Sequence, residues 1–329
     1  MTTSTRKAVI VGIDNYPKAS LHGCCNDADA MASVLSRHED GSINFHVQKH
    51  TDDDAVKTKG GLRSLIGECF SGNEEVALFY YSGHGHIDSF GGYLVTPDYS
   101  PNDVGVSLQD VLTTANDSHC RDRIIILDSC YSGFMGDIKT LGQKTAVINE
   151  GVTILTSSSR EQTAITTGKH GLFTSLLLEA LNGGAADTLG NITVGSIYSF
   201  IDKSLTPWDQ RPIFKTNVTH FTSLRNVKPQ VDLSTIKTTV RYFGDADSVL
   251  ALDPSFEDTN DPDVKHELIK PYAYPDNVKK LKNLQKLVQI GLVVPVGAEH
   301  MYFAAMKSKS CKLTAVGKHY WKLDKEGKI

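Results

Sequence analysis

No stretch of this sequence is apolar for long enough to cross a membrane. The longest runs, such as AVIVGI from Ala8, are strand length, far below the roughly 20 residues a helical span requires. MTTSTRK leads directly into that run without an apolar leader region or a small-residue cleavage site, so no secretory signal is expected. Cysteine is scarce, with six in 329 residues and no CxxC pair. That pattern excludes a disulfide framework and points to a reducing cytoplasm. His22, Cys24 and Cys25 are too bunched for a structural zinc site. Net charge is low, at −4, so the whole chain does not read as a nucleic-acid binder. With 40% hydrophobic and 22% charged residues, it is not a disordered or collagen-like chain either.

The small net charge hides an uneven distribution. Residues 277–329 hold eleven Lys against three acidic groups, residues 228–276 hold ten acidic against five basic groups, and residues 1–226 carry the remaining −7. Composition and pattern divide the chain into a domain over 1–226, a partly structured connector over 227–276 and a basic module over 277–329. No internal repeat is present.

Within the first domain, Lys7–Ile13, Glu75–Ser82, Arg123–Asp128 and Gly151–Ser157 are continuous apolar runs rich in β-branched and aromatic residues, as parallel strands covered on both faces require. Apolar residues at helical spacing predict helices over Asn26–Arg37, Asp53–Phe70, a segment capped by Ser107, Leu172–Leu181 and Thr193–Ser204. Strands alternating with helices imply an α/β fold, a mostly parallel sheet with helices on both faces. In the basic module, a Lys-rich helix from Asn277 is stopped by Gly291. LVVPVG and MYFAAM read as two strands around Gly297–His300, and a helix follows from Thr314. Helix, hairpin and LT-x-x-G resemble the end of a winged-helix domain, a small α+β unit.

Two of the strands end in chemically active residues. VALFYYSGHGH delivers His84, and RIIILDSCYSG delivers Cys130. Ligand sites in open parallel sheets form at the carboxyl ends of strands, and neighbouring strands lie about 5 Å apart. One substrate carbonyl therefore fits between an imidazole and a thiol. A thiolate is a strong nucleophile, an imidazole activates it and returns the proton to the leaving amine, and flanking glycines free backbone N–H groups for an oxyanion. His86 competes with His84 for the base role but reads better as a loop residue. Tyr198 and Trp208 read as core or groove wall.

YYSGHG and LDSCYSG resemble the two catalytic signatures of caspase-like cysteine proteases, in the metacaspase and orthocaspase branch of prokaryotic type. VIVGIDNYP…LHGCCNDADAM is similar to the first strand and helix of that family, and TILTSSSREQTA, GLFTSLLLEAL and QRPIF to its small-subunit half, over roughly residues 6–220. The resemblance implies a caspase-like sheet, a Cys-His dyad with His84 as general acid/base and Cys130 as nucleophile, and an oxyanion hole from the N–H groups of Gly85 and Cys130. It also implies a substrate pocket of Cys24, Asp27, Ser82 and Asp128. Asp128 stands where animal caspases that cut after Asp carry Gln. Two carboxylates in one pocket favour a cation over an anion, so the expected substrates are proteins cut after Arg or Lys. Self-cleavage near Lys139 or Lys144 also fits the family's habit.

No cofactor is expected. Calcium-dependent relatives carry an acidic cluster whose nearest counterpart here is Val106–Asp110, and Asp137 lies seven residues after Cys130. These do not amount to the six to eight oxygens calcium takes. The basic module is expected to bind an activating signal, first a small anionic nucleotide, then a protein partner, with nucleic acid third because Arg241 is the only Arg after Arg225. By analogy the chain resembles regulated effectors of bacterial stress and antiphage systems. The alternative is a catalytically silent scaffold or DNA-binding regulator on the same fold.

Overall fold

A computed structural model describes residues 5–101, 103–129, 147–157, 170–206, 211–259 and 272–329. The chain divides into two compact units, 1–228 and 229–329. The first unit runs β1 (Arg6–Gly12), α1 (Cys24–Ser36), β2 (His46–Thr51), α2 (Lys59–Phe70), β3 (Val76–Ser82), β4 (Gly85–Ile87), β5 (Gly92–Ser100), β6 (Asp103–Ser107), α3 (Leu108–Asn116), β7 (Asp122–Asp128), β8 (Val152–Thr156), α4 (Leu172–Glu179), β9 (Asn191–Thr193), α5 (Val194–Ser204), β10 (Ile213–Asn217) and β11 (Ser223–Asn226).

Six strands form the central sheet in the order β10-β8-β7-β3-β1-β2. All neighbours are parallel except β10, which runs antiparallel to β8. The inner strands are mostly apolar because alternate residues feed two separate cores. Val9, Val11, Phe79, Tyr81, Ile125 and Leu127 meet α2 and α3 on one face, while Ile10, Leu78, Tyr80, Ile124 and Ile126 meet α1, α4 and α5 on the other. From β1 the chain moves one way to β2 and the other way to β3 and β7. The carboxyl ends of β1 and β3 therefore flank a topological switch point, where a crevice opens.

Local signals place the helices. Ser107 accepts a hydrogen bond from the Asp110 N–H to cap α3, and Thr193 with Ser196 closes a capping box on α5. The helix expected from Asp53 starts instead at Lys59. Asp53 ties its carboxylate to the Ala55 N–H in a turn, and Thr58 caps the helix, which puts Gly60 and Gly61 in its first turn. β2 was not anticipated: HVQKHT is a polar sequence on a sheet edge, pairing only with β1.

The second unit holds α6 (Leu233–Val240), β12 (Val249–Ala251), α7 (Pro275–Gln289), β13 (Val293–Val296), α8 (Met301–Met306), β14 (Ser310–Leu313) and α9 (Ala315–Lys325). Its antiparallel sheet has the order β12-β14-β13. Residues 227–276, read from the sequence as a connector, supply Val231, Ile236, Val240, Phe243, Leu252 and Phe256 to the same core as Leu281, Leu284, Leu287, Val293 and Leu313. MYFAAM corrects an expectation: it forms helix α8, not a strand. Met301, Ala304 and Ala305 are buried at i, i+3 and i+4, and Met and Ala are strong helix formers. The strand partner of β13 is β14, beyond that helix.

Candidate active site

The site is built at the ends of three adjacent strands. Ser82 closes β3 and Asp128 closes β7, and the two are register partners. Gly12 closes β1 as the partner of Ser82 on its other side. A Cβ on Gly12 would lie 2.4 Å from the Cys24 carbonyl oxygen and 2.8 Å from the Ala28 Cβ. The missing side chain thus lets the first turn of α1 settle against the strand ends. Asp14 fixes that turn, its two carboxylate oxygens accepting from the N–H groups of Cys24 at 3.0 Å and Cys25 at 3.2 Å.

This arrangement brings together all four residues expected to line a substrate pocket. The Ser82 hydroxyl donates to Asp27 Oδ2 at 3.4 Å and meets the Cys24 thiol. Asp128 Oδ2 accepts from the Thr174 hydroxyl at 2.7 Å, and Tyr80 bonds Thr174 at 2.8 Å. Asp27 is buried, with its side chain 5% exposed. Burial first, and the Asp128 charge second, push its carboxyl up to about 7, against the opposing hydrogen bonds from His170 and Ser82. Burial also raises Asp128 and the Cys24 thiol. Two carboxylates held this close resist ionising together. A cation between them reverses that, and an anion is repelled.

His84 stands beyond Gly83, just past β3. Its Nε2 lies 2.6 Å from the Ala19 carbonyl oxygen. A carbonyl only accepts, so Nε2 carries a proton and the neutral ring keeps its lone pair on Nδ1, the tautomer a general base needs. The ring stands edge-on to Tyr16 at 4.6 Å between centroids. The His84 N–H donates to the Tyr16 hydroxyl at 3.1 Å, while the His84 carbonyl accepts from the Tyr81 hydroxyl and the Val95 N–H, each at 3.0 Å. Gly85 opens β4 and pairs with Leu94. His86 is exposed, with its ring 6.4 Å from that of Tyr93. β7 ends at Asp128, and Ser129 follows it. Cys130 lies outside the described residues, as do Asp137, Lys139, Lys144 and Trp208.

Several site residues left no readable signal in the sequence. Ala19 acts through its backbone. Tyr16 and Thr174 act through hydroxyls on segments far from the catalytic signatures. His170 donates from Nδ1 to Asp27 Oδ1 at 2.7 Å across 143 residues of sequence.

Val106 belongs to β6, Ser107 caps α3, and the Asp110 carboxylate faces Arg63 at 3.9 Å. Asp14, Cys25 and Asp52 do bring ligand atoms within 4.8 Å of one another. Hydrogen bonds account for that cluster: Asp14 caps α1, and Asp52 accepts from the N–H groups of Asp14 and Asn15 at 3.0 Å and from the Cys25 thiol at 3.3 Å. Among the described residues no helix is long and apolar enough to cross a membrane.

The caspase domain family matches residues 5–226. Metacaspase-9 of Arabidopsis thaliana is 36% identical over 88 residues, which span 24% of this chain and 27% of that relative's length. Among solved structures, protein GSU0716 of Geobacter sulfurreducens is similar with a TM-score of 0.48 and 17% identity, covering 68% of this chain and 100% of that one. Pro-Sf-caspase-1 is similar with a TM-score of 0.44 and 13% identity, covering 68% of this chain and 94% of its own. The family match takes in the strand ends of the central sheet, and the chain belongs to the caspase domain family.

Proposed function

We propose that this chain is a cysteine endopeptidase that cleaves proteins after Arg or Lys. The observation that carries the reading is the convergence of Asp27, Asp128, Ser82 and Cys24 at the end of the strand that delivers His84. A P1 guanidinium or ammonium pairs with the two carboxylates, which places the scissile carbonyl beside the dyad. The Cys130 sulfur attacks that carbon as His84 takes the thiol proton. The N–H groups of Gly85 and Cys130 stabilise the oxyanion. Collapse expels the amine, protonated by His84, and leaves a thioester. Water, deprotonated by His84, then hydrolyses the thioester and regenerates the thiol.

The second unit is proposed as the gate of this activity. It has its own core and a Lys-rich last 53 residues, suited to a small anionic nucleotide first and a protein partner second. Its likeness to a winged-helix module rests on helix, hairpin and LT-x-x-G, and helix α8 stands between β13 and β14; nucleic acid stays the third ligand class. A cytoplasmic, prokaryotic stress or antiphage effector is the setting that analogy suggests. The test against a catalytically silent scaffold is casein digestion by wild type and by Cys130→Ala protein with the same thermal midpoint. The proposal expects fragments from wild type alone. Intact casein with both proteins, across candidate signals, supports the scaffold.

A further inference from the structure

One side chain in the pocket has no part in the chemistry above. His170 stands two residues before α4, and its Nδ1 lies 2.7 Å from Asp27 Oδ1, with the ring 28% exposed and the Asp27 carboxylate 5% exposed. One helical turn later, Thr174 bonds Asp128 at 2.7 Å. Five consecutive residues, 170–174, therefore supply a donor to each of the two acids. Asp128 Oδ2 also sits by the start of α4, 3.7 Å from where a Cβ on Gly171 would lie, and the positive end of a helix dipole favours an anion there. Asp128 thus has a hydroxyl and a helix terminus. Asp27 has one weak hydroxyl contact at 3.4 Å and the imidazole.

We propose that His170 is the positioning residue of this pocket: by donating its Nδ1–H to Asp27 it keeps that acid ionised and oriented, and so sets the pH above which the pocket accepts a basic side chain. The inference rests on the Arg/Lys reading of the site. The groups that bear on Asp27 come from every element around it: Asp128 from β7, Ser82 and Tyr80 from β3, Cys24 from its own helix with Asp14 behind it, and Thr174 from α4. Of the two carboxylates, Asp128 raises Asp27, and His170 opposes it both as a hydrogen-bond donor and, when protonated, as a charge. Without the imidazole, Asp27 holds its proton to higher pH and the pocket keeps a single negative charge through neutrality. A neutral donor of similar reach restores most of the hydrogen bond but none of the charge.

The test is the binding of agmatine, a small guanidinium probe whose amine stays protonated throughout, to full-length protein across pH 5–9, beside kcat and KM for an Arg peptide. In wild type, affinity rises with pH through about 7, following Asp27. In His170→Ala the midpoint of that rise moves up by about one unit, so binding at pH 6 weakens about tenfold and recovers at pH 9. In His170→Gln it returns toward wild type, and the effect falls on KM rather than kcat. A uniform loss of affinity with an unmoved midpoint makes His170 a mere packing residue and overturns the proposal. So does binding unchanged at every pH. Wild type that ignores agmatine at all pH values overturns the Arg/Lys reading of the pocket itself, a separate outcome.

Discussion

Asp27 carries a tension between stability and function. Its carboxyl is raised well above the ordinary range by burial and by Asp128, so the fold prefers it protonated. The stability this confers is fully present below about pH 4 and is lost as pH rises through about 7. Asp27→Asn mimics the protonated acid. It is expected to raise the thermal midpoint by a few degrees at pH 8 and to leave it nearly unchanged at pH 4, while cleavage after Arg falls by at least tenfold at pH 8. Differential scanning calorimetry at the two pH values checks the first part. An equal shift at both pH values removes the titration argument. Most of this residue-scale picture was invisible in the sequence: Asp27 and Asp128 are 101 positions apart, and only a family resemblance joined them. Backbone roles such as that of the Ala19 carbonyl have no residue signature at all.

At the scale of elements, the site depends on how closely α1 approaches β1. Gly12→Ala puts a methyl 2.4 Å from the Cys24 carbonyl, and backbone cannot rotate away as a flexible side chain does. The expected cost is about 1–3 kcal/mol, read as a lower midpoint in urea, with an increase in KM for Arg peptides because Cys24 and Asp27 ride on the displaced turn. A variant with wild-type stability and KM would show that α1 has slack there. The buried parallel strands were legible because both faces are covered and their central positions form continuous apolar runs. The edge strand β2 was not, since its polar residues make no apolar run. α8 was misread because a six-residue apolar run fits either period, and burial at i, i+3 and i+4 decided for the helix.

For the whole molecule, the three cores divide cleanly by sequence between the two units. The cores against both faces of the central sheet draw on residues up to Val227, and the other core begins at Val231. A chain ending at Lys228 is therefore expected to unfold cooperatively on its own and to digest casein without the response to signals that the full chain shows. A hundredfold activation corresponds to about 2.7 kcal/mol of differential binding, which is within reach of a few charge-assisted contacts. Loss of cooperative unfolding would contradict the division into units. A full-length protein already as active as the shortened one, with neither responding to nucleotides, would remove the gate.

The central claim is the acidic, Arg/Lys-accepting pocket beside a Cys-His dyad, and a fluorogenic peptide panel tests it most directly. Peptides differing only at P1, as Arg, Lys, citrulline or Asp, are compared by kcat/KM with wild-type protein and with Asp128→Asn. Leaving a buried charge without its partner costs roughly 3–5 kcal/mol. Wild type should therefore prefer Arg and Lys over citrulline and Asp by more than about a hundredfold, and Asp128→Asn should lose most of that preference. A wild-type preference for Asp, or discrimination unchanged in Asp128→Asn, would contradict the account.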